Sequence, residues 1–428
     1  MSGEGRTTRR FALILGAVAI AGLALRIVYS VLIAPDDLGF DAIWYELQSE
    51  TLAKGPGYVD PDLFFRLGRS VPTANFPPLW PTVLAAATKI GLDGQQAHQL
   101  VGAVIGSITV VVTGLIGRRV GGSRFGLVAA AFVAASPLLI AADGSLMAES
   151  LYVLLITTAV LVAYRCMTNA SWWWFVGLGL TLGVAALART DALIVAPLLI
   201  AATAWRASLP IARRVAFGCL AAAMVALALV PWIVRNERQM GEAVALSSNS
   251  GSVLEGANCE TTYSGKLLGA WDADCLVLTR QPDQNELEWS AAGRRAGIEF
   301  ARENVSRLPL VGTARVLRAW SVWNPIDQAE LETIESRDRE WQIVGGVTAI
   351  VMLGLAVPGT RRLMRRSTTI APMVAVVIGV SLAALVANGN TRFTLAGLPL
   401  VAVAAAASVV RQPSSEPTTA TKETISPG

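Results

Sequence analysis

Apolar stretches of membrane-crossing length recur down this chain, and they decide most of what it can fold into. A membrane helix needs about 20 mostly apolar residues. Such segments lie near 11–33, 97–117, 125–141, 148–165, 172–188, 191–206, 214–234, 342–358, 369–387 and 394–410, about ten in all. With no water in the bilayer to satisfy backbone groups, only helices and closed barrels can span it. Segments this long predict an all-α polytopic bundle of about ten transmembrane helices. Composition agrees: 15% of the 428 residues are charged, against roughly 25% in soluble domains. An ordinary soluble enzyme is excluded, and so is a disordered chain, which would be short of apolar residues. The single histidine, His98, rules out multi-histidine metal sites, and four cysteines without a CxxC pair argue against zinc ribbons and cysteine-held clusters.

Basic residues then give an orientation, because short cytoplasmic loops are enriched in Lys and Arg. Arg6, Arg9 and Arg10 precede the first segment; Arg118, Arg119 and Arg124 lie between the second and third. Arg165 follows the fourth, Arg206, Arg213 and Arg214 follow the sixth, Arg361, Arg362, Arg365 and Arg366 follow the eighth, and Arg411 follows the tenth. All fall on one side if both termini are cytoplasmic. The expected organisation is a transmembrane module over 1–233 with an outer loop at 34–96, an external segment over 234–341, transmembrane helices over 342–410, and a disordered cytoplasmic tail over 411–428. The first helix reads as retained rather than cleaved, and the protein as a multi-pass protein of the cytoplasmic membrane. Residues 235–341 hold 12 basic and 17 acidic side chains, a net −5, which suits the side opposite the arginines. Cys259 and Cys275 lie in that segment, and an oxidising compartment predicts a disulfide between them. It would be worth about 3 kcal/mol on the chain-entropy model.

Charged residues at the outer ends of the helices are the candidates for chemistry. Asp36, Asp37 and Asp41 fall within six positions, just after the first segment and among aromatics. Asp41, Trp44 and Tyr45 share one helix face at i, i+3 and i+4. A carboxylate held against aromatic surface is partly desolvated and is the better base for it. The segment continues through Gly55-Pro56-Gly57-Tyr58, which adds Tyr58 to the pocket candidates. Asp143 and Glu149 flank the next outer turn, and Glu149 opens a segment at a depth where a charge is expensive unless it is used or paired. Arg189, beside Asp191, and Arg392 sit in two further outer turns, against the positive-inside bias. Guanidinium groups there suit bidentate phosphate binding. Arg26 is an intramembrane charge without an assignable partner. Trp172, Trp173 and Trp174 read as an interfacial belt, and His98 as structural.

These residues, taken in order, resemble a family. Asp41 after the first segment, the run Phe76-Pro77-Pro78-Leu79-Trp80-Pro81, Glu149, the turn Leu187-Ala188-Arg189-Thr190-Asp191, the exit Pro231-Trp232 to Arg235-Asn236, and Arg392-Phe393 are similar to the GT-C glycosyltransferases. The branch resembled is that of the dolichyl-phosphate-mannose–protein mannosyltransferases and the lipid A aminoarabinose transferases, and the loop bearing Cys259 and Cys275 is similar to that of actinobacterial relatives. Ala42 stands where the protein mannosyltransferases carry a further Glu. The resemblance implies a GT-C-like bundle that transfers a sugar from a polyprenyl-phosphate donor to a lipid, glycan or protein acceptor on the outer face. Asp41 and Glu149 would be catalytic, with Asp41 the general base. Arg189 and Arg392 would bind the donor phosphate, and Tyr45, Tyr58 and Asp143 would line the pocket. The implied mechanism is inverting and assisted by a divalent cation, Mg or Mn, for which Asp41 and Glu149 are the oxygen ligands in view. Nucleic acid is not an expected partner. Two rival readings are a transporter or flippase for a lipid-linked or anionic solute, and a non-catalytic subunit of envelope assembly. The absence of a visible repeat and the clustering of charge at the outer surface favour the enzyme.

Overall fold

A computed structural model of the chain describes residues 3–276, 284–366 and 369–410. The N-terminal part contains α1 (Gly3–Leu32), α2 (Phe40–Lys54), α3 (Pro61–Leu67), α4 (Leu79–Lys89), α5 (Gln95–Gly121), α6 (Ser123–Ala134), α7 (Pro137–Gly144), α8 (Glu149–Thr168), α9 (Trp172–Ala188), α10 (Ala192–Arg206) and α11 (Ile211–Met240). There follow α12 (Ser250–Ala257), α13 (Glu286–Glu303), α14 (Leu308–Ala319) and α15 (Pro325–Leu331), and then α16 (Arg339–Arg365), α17 (Ala371–Val386) and α18 (Leu398–Val409). Among the described residues the only β pairing is an isolated bridge between Val59 and Pro72. The protein is an all-α polytopic membrane protein.

Helices α1, α5, α8, α11 and α16 are each long and apolar enough to cross a bilayer. The stretch 125–141, expected as one span, is instead two helices: α6 and α7 meet at a 55° bend. The physical reason is Pro137 at the start of α7, which has no N–H to continue the α6 ladder. Helices α9, α10, α17 and α18 are apolar but shorter. At 17 residues, α9 spans about 26 Å. Trp172 and Trp173 at its start are exposed. Ala, Val and Leu fill most of the main core between these helices. Close approach depends on small residues: a Cβ on Gly179 would lie 2.2 Å from the Ala221 carbonyl oxygen, and one on Gly359 would lie 1.9 Å from that of Ala404.

Buried polar contacts fix the end of the bundle where α2 and α4 lie. His98 of α5 is fully buried between the Thr88 hydroxyl at 3.0 Å and the Glu46 carboxylate at 2.7 Å. It ties three helices together, as a structural histidine should. Glu286, at the start of α13, accepts from Thr73 Oγ1, Ala74 N and Ser248 Oγ, which fastens the segment after α11 onto the first long loop. Cys259 and Cys275 form the expected disulfide, with Cα atoms 6.2 Å apart.

Candidate functional site

Three helix termini and two turns deliver a cluster of buried charge. Gly39 precedes α2 and approaches the turn Glu332–Glu335 so closely that a Cβ would lie 1.8 Å from the Ile334 carbonyl oxygen. Its N–H donates to Ser336 Oγ at 2.5 Å. That seating puts Asp41, in the first turn of α2, beside Glu335. Glu149 is the first residue of α8 and is fully buried. The turn leading into it passes through Leu146 at φ +58, a left-handed conformation that costs a branched residue energy. The turn is held by Trp80, whose indole N–H donates to the Leu146 carbonyl at 2.7 Å. Arg189 ends α9 in extended conformation. Arg392 lies in the short turn before α18, its N–H capped by Asn390 Oδ1 at 2.9 Å.

Arg392 is the centre of the cluster. Its Nε donates to Glu149 Oε1 at 2.6 Å, and its Nη1 donates to Asp41 Oδ2 at 3.0 Å and to Glu335 Oε1 at 3.3 Å. Arg189 donates from Nη1 to the same Glu149 oxygen and from Nε and Nη2 to Asp191 Oδ2, at 3.0 and 2.8 Å. Arg337 completes the row against Glu332 and Glu335. Burial pulls the Arg392 guanidinium down, but Glu149, Glu335 and Asp41 outweigh it and hold its pKa well above the ordinary arginine value. Arg189 is treated alike: burial lowers it, and Asp191 and Glu149 raise it further. Burial lifts the Glu335 carboxyl above its usual range despite Arg392 and Arg337. Asp41 is the accessible carboxylate of the three around Arg392, with 32% of its side chain exposed against 9% for Glu335 and none for Glu149.

The structure therefore brings Asp41, Glu149, Arg189 and Arg392 together. Tyr45 lies one turn along α2 from Asp41 and is buried. Its hydroxyl is pushed up by burial and by the Asp41 and Glu149 charges. Tyr58 lies further off. Tyr45 packs on Phe76 at 4.8 Å, and Phe76 lines a small cavity with Tyr58, Trp44, Gln48 and Asn75. Asp143 does not join the group. Its carboxylate accepts from Arg26 Nε at 2.6 Å inside the bundle, which also supplies the missing partner of Arg26. Glu335 and Arg337 carry no sequence signal, being two charges among many in a polar segment. Arg235 also went without a role. It lies 5.5 Å from the Tyr58 ring centroid and donates to the carbonyls of Thr73 and Tyr58 and to Asn236 Oδ1. It makes no ion pair with a carboxylate among the described residues.

The pair Asp41 and Glu149 does not fit a divalent cation in this arrangement. Both accept from Arg392, so a guanidinium already stands where they converge. Among the described residues no three His, Cys, Asp or Glu side chains form a metal-holding group.

Comparison with known proteins agrees with this architecture. Residues 75–234 match the family model described as dolichyl-phosphate-mannose-protein mannosyltransferase. That stretch holds Glu149 and Arg189 but not Asp41, Glu335 or Arg392. No curated protein sequence matches. Among solved structures, the archaeal oligosaccharyltransferase AglB from Archaeoglobus fulgidus, in complex with an inhibitory peptide and a dolichol-phosphate, aligns with a TM-score of 0.54 at 16% identity, over 93% of this chain and 50% of that one. The Archaeoglobus fulgidus oligosaccharyltransferase in complex with Zn and sulfate aligns at 0.51 and 15% identity, over 92% and 49%. ArnT from Cupriavidus metallidurans bound to undecaprenyl phosphate aligns at 0.42 and 17% identity, over 94% and 78%, too low a score to argue from. The chain spans about half the length of the first of these structures. The likeness to the Archaeoglobus fulgidus oligosaccharyltransferase structures is one of fold.

Proposed function

We propose that this protein transfers a sugar from a polyprenyl-phosphate carrier to an acceptor hydroxyl, at the membrane face opposite its arginine clusters. The observation that carries the reading is the set of Arg392 contacts: one buried guanidinium gathers three carboxylates, and one of them, Asp41, is open to a substrate. Asp41 takes the proton of the acceptor hydroxyl as that oxygen attacks the anomeric carbon. The bond from the anomeric carbon to the phosphate oxygen breaks, and its electron pair leaves on the polyprenyl phosphate. One displacement inverts the anomeric centre.

The growing phosphate charge needs fixed cations nearby. All three nitrogens of Arg189 already meet carboxylates, so its part is to hold Glu149 in place. Among the described residues Arg392 Nη2 makes no hydrogen bond, which leaves one edge of the fork for the phosphate. Arg235, without a carboxylate ion-pair partner among the described residues and flanked by Tyr58 and Trp232, is a second cation suited to the donor. The cavity lined by Trp44, Tyr58 and Phe76 is only about 10 Å³ in volume, barely room for one water, so a sugar ring would have to lie outside it or spread these side chains. No step in this scheme runs through a metal.

The test is transfer from synthetic short-chain polyprenyl-phosphate sugars by the purified protein. Asp41→Asn is expected to lower kcat by about 10²–10⁴-fold, the range for losing a general base, with donor binding little changed. Full activity in Asp41→Asn would remove it as the base. A cysteine placed at Ser250 should react with a membrane-impermeant thiol reagent from outside the cell; labelling from the cytoplasm would reverse the orientation.

A further inference from the structure

The segment closed by the Cys259–Cys275 bridge adds no side chain to the charge cluster, yet its contacts lead to Arg392. The two cysteines stand 16 positions apart, and beside them the Asp272 N–H donates to the Gly256 carbonyl at 2.9 Å. A hydrogen-bonded path runs from the bridge in three steps. The Cys259 N–H donates to Thr262 Oγ1 at 3.2 Å. The Gly269 N–H donates to the Thr262 carbonyl at 2.8 Å. The Gly269 carbonyl then accepts from the Gly389 N–H, also at 2.8 Å. Gly389 lies three residues before Arg392, in the turn that follows α17.

That last contact leaves no room for a side chain on either partner. A Cβ on Gly389 would lie 2.7 Å from Arg318 Cβ, 2.8 Å from the Gly269 carbonyl oxygen and 3.0 Å from that of Arg315. Gly269 has φ +80, and a Cβ there would lie 2.8 Å from Arg315 N and 2.9 Å from Ala314 Cβ. A left-handed backbone at such close approach requires glycine. Two buried arginines of α14 fix the segment from the other side. Arg318 Nε donates to the Leu268 carbonyl at 2.7 Å, and its Nη2 donates to that of Lys266. Arg315 Nη2 donates to the Ala257 carbonyl at 2.6 Å and to Asn258 Oδ1 at 3.0 Å. Arg315 Nη1 also reaches the Leu385 carbonyl at 3.2 Å, so α14 grips the bridged segment and the end of α17 together.

Beyond Gly389 the same turn is tied to the acidic row. Asn390 Nδ2 donates to Glu335 Oε1 at 2.7 Å, and Asn390 Oδ1 caps the Arg392 N–H at 2.9 Å. Thr391 Oγ1 donates to Glu332 Oε2 at 2.7 Å. A shift at Gly389 passes to Asn390, its chain neighbour, and through the cap to Arg392. The Arg392 contact with Asp41 is already 3.0 Å long, and such hydrogen bonds end near roughly 3.2 Å, so a small displacement breaks it. We infer that Gly389 is a positioning residue for Arg392: through the Gly269 carbonyl, the segment bridged by Cys259 and Cys275 sets the turn that aims this guanidinium at Asp41, Glu149 and the donor phosphate. The phosphate role of Arg392 is the one proposed above, on which this part rests.

The test is a double-mutant cycle on the full-length protein, because residues that act through one another are not additive. With a synthetic short-chain polyprenyl-phosphate sugar, Gly389→Ala is expected to lower kcat by about 10-fold to 10²-fold, the scale of a misplacement of roughly 1 Å. On an Arg392→Lys background the same change should cost less than about twofold, since the guanidinium it aims is gone. Gly179→Ala, tight against the Ala221 carbonyl between α9 and α11, controls for general destabilisation and should cost the same factor in both backgrounds. Equal losses for Gly389→Ala in the two backgrounds would overturn the proposal, as would wild-type kcat in Gly389→Ala. Cys259→Ser with Cys275→Ser opens the segment without crowding the turn, so it serves even where Gly389→Ala does not fold. It should show the same non-additivity with Arg392→Lys, and unchanged kcat or a purely additive loss in this variant would overturn the role of the bridge. A wild type that transfers no sugar would count against the proposed transfer, not against the positioning. The cycle is then read by thermal unfolding: Gly389→Ala and Arg392→Ala together should destabilise by less than the sum of their separate effects, and simple addition would overturn the proposal.

Discussion

Arg392 and Glu149 stand 243 positions apart in sequence and 2.6 Å apart in the fold. This contact joins the turn before the last helix to the first residue of α8, and Glu149 has no exposure to water of its own. A buried carboxylate without a cation costs several kcal/mol, and breaking one partner of such a pair typically costs about 3–5 kcal/mol. Arg392→Ala should therefore destabilise the purified protein by roughly that amount, because Asp41, Glu149 and Glu335 lose one shared partner together. Arg392→Lys should recover part of it, since a single ammonium cannot serve Nε and Nη1 contacts at once. Thermal unfolding in a fixed detergent checks this, and a melting temperature for Arg392→Ala equal to wild type would show that the cluster does not depend on this guanidinium.

A separate pair, Arg26 and Asp143, gives a stability prediction that should leave the chemistry alone. Helix α5 makes room for it with two glycines. A Cβ on Gly106 would lie 1.9 Å from Asp143 Oδ2 and 2.6 Å from Arg26 Nε, and one on Gly102 would lie 2.1 Å from the Asp143 carbonyl oxygen. Gly106→Ala must push the pair apart, and its cost should reach at least the roughly 1–3 kcal/mol of an overpacked core. Gly16→Ala is the control, for nothing lies within 4 Å of the added carbon. If the two variants melt together, the notch is not tight. Donor KM should be unchanged in whatever Gly106→Ala protein folds.

The contrast between these two pairs shows what the sequence could carry. Glu149, Arg189 and Arg392 could be picked out because each is a charge at the end of an apolar segment, where a charge wants a reason. Asp41 stood out through its aromatic neighbours. Asp143 met the same criterion, yet its partner is Arg26. An all-round apolar helix such as α1 gives no phase from which to tell that Arg26 points at the α7 turn. The bend between α6 and α7 was masked by the same uniformity: Pro137 alone marked it within an unbroken apolar stretch. Glu335 and Arg337 were illegible for the opposite reason. They sit in a segment crowded with charge, and only its folding back under α2 selects them.

Glu335 makes stability depend on pH in a definite direction. Burial raises its carboxyl above the ordinary glutamate range, so the folded state binds its proton more tightly than the unfolded chain does. The stabilisation from that proton is fully present below the unfolded pKa and is lost as pH rises through the raised folded value. Glu335→Gln, which resembles the protonated form, should match wild type in melting temperature near pH 4 and exceed it at pH 7–8. A variant that falls below wild type at pH 8 would mean that the ionised carboxylate, through Arg392 and Arg337, stabilises more than its burial costs.

The last prediction concerns the cation at the centre of the site. Asp41 and Glu149 are the oxygen donors that a divalent ion would need, and both are already taken by Arg392. A metal entering there would have to expel a guanidinium whose proton Glu149, Glu335 and Asp41 hold firmly. Among the described residues no three His, Cys, Asp or Glu side chains are set to hold it in exchange. Transfer activity should therefore survive exhaustive chelation, with kcat/KM within about twofold of the untreated enzyme, and added Mg or Mn should not raise it. Arg392→Ala should not be rescued by millimolar Mg, because an octahedral ion at about 2.1 Å from its ligands cannot reproduce a planar fork reaching three separate oxygens. The assay is transfer from the synthetic donor before and after chelation, with metal content measured in parallel. Loss of activity on chelation, restored by a stoichiometric divalent ion, would show that Arg392 leaves the carboxylates in the working enzyme and that a metal takes its place.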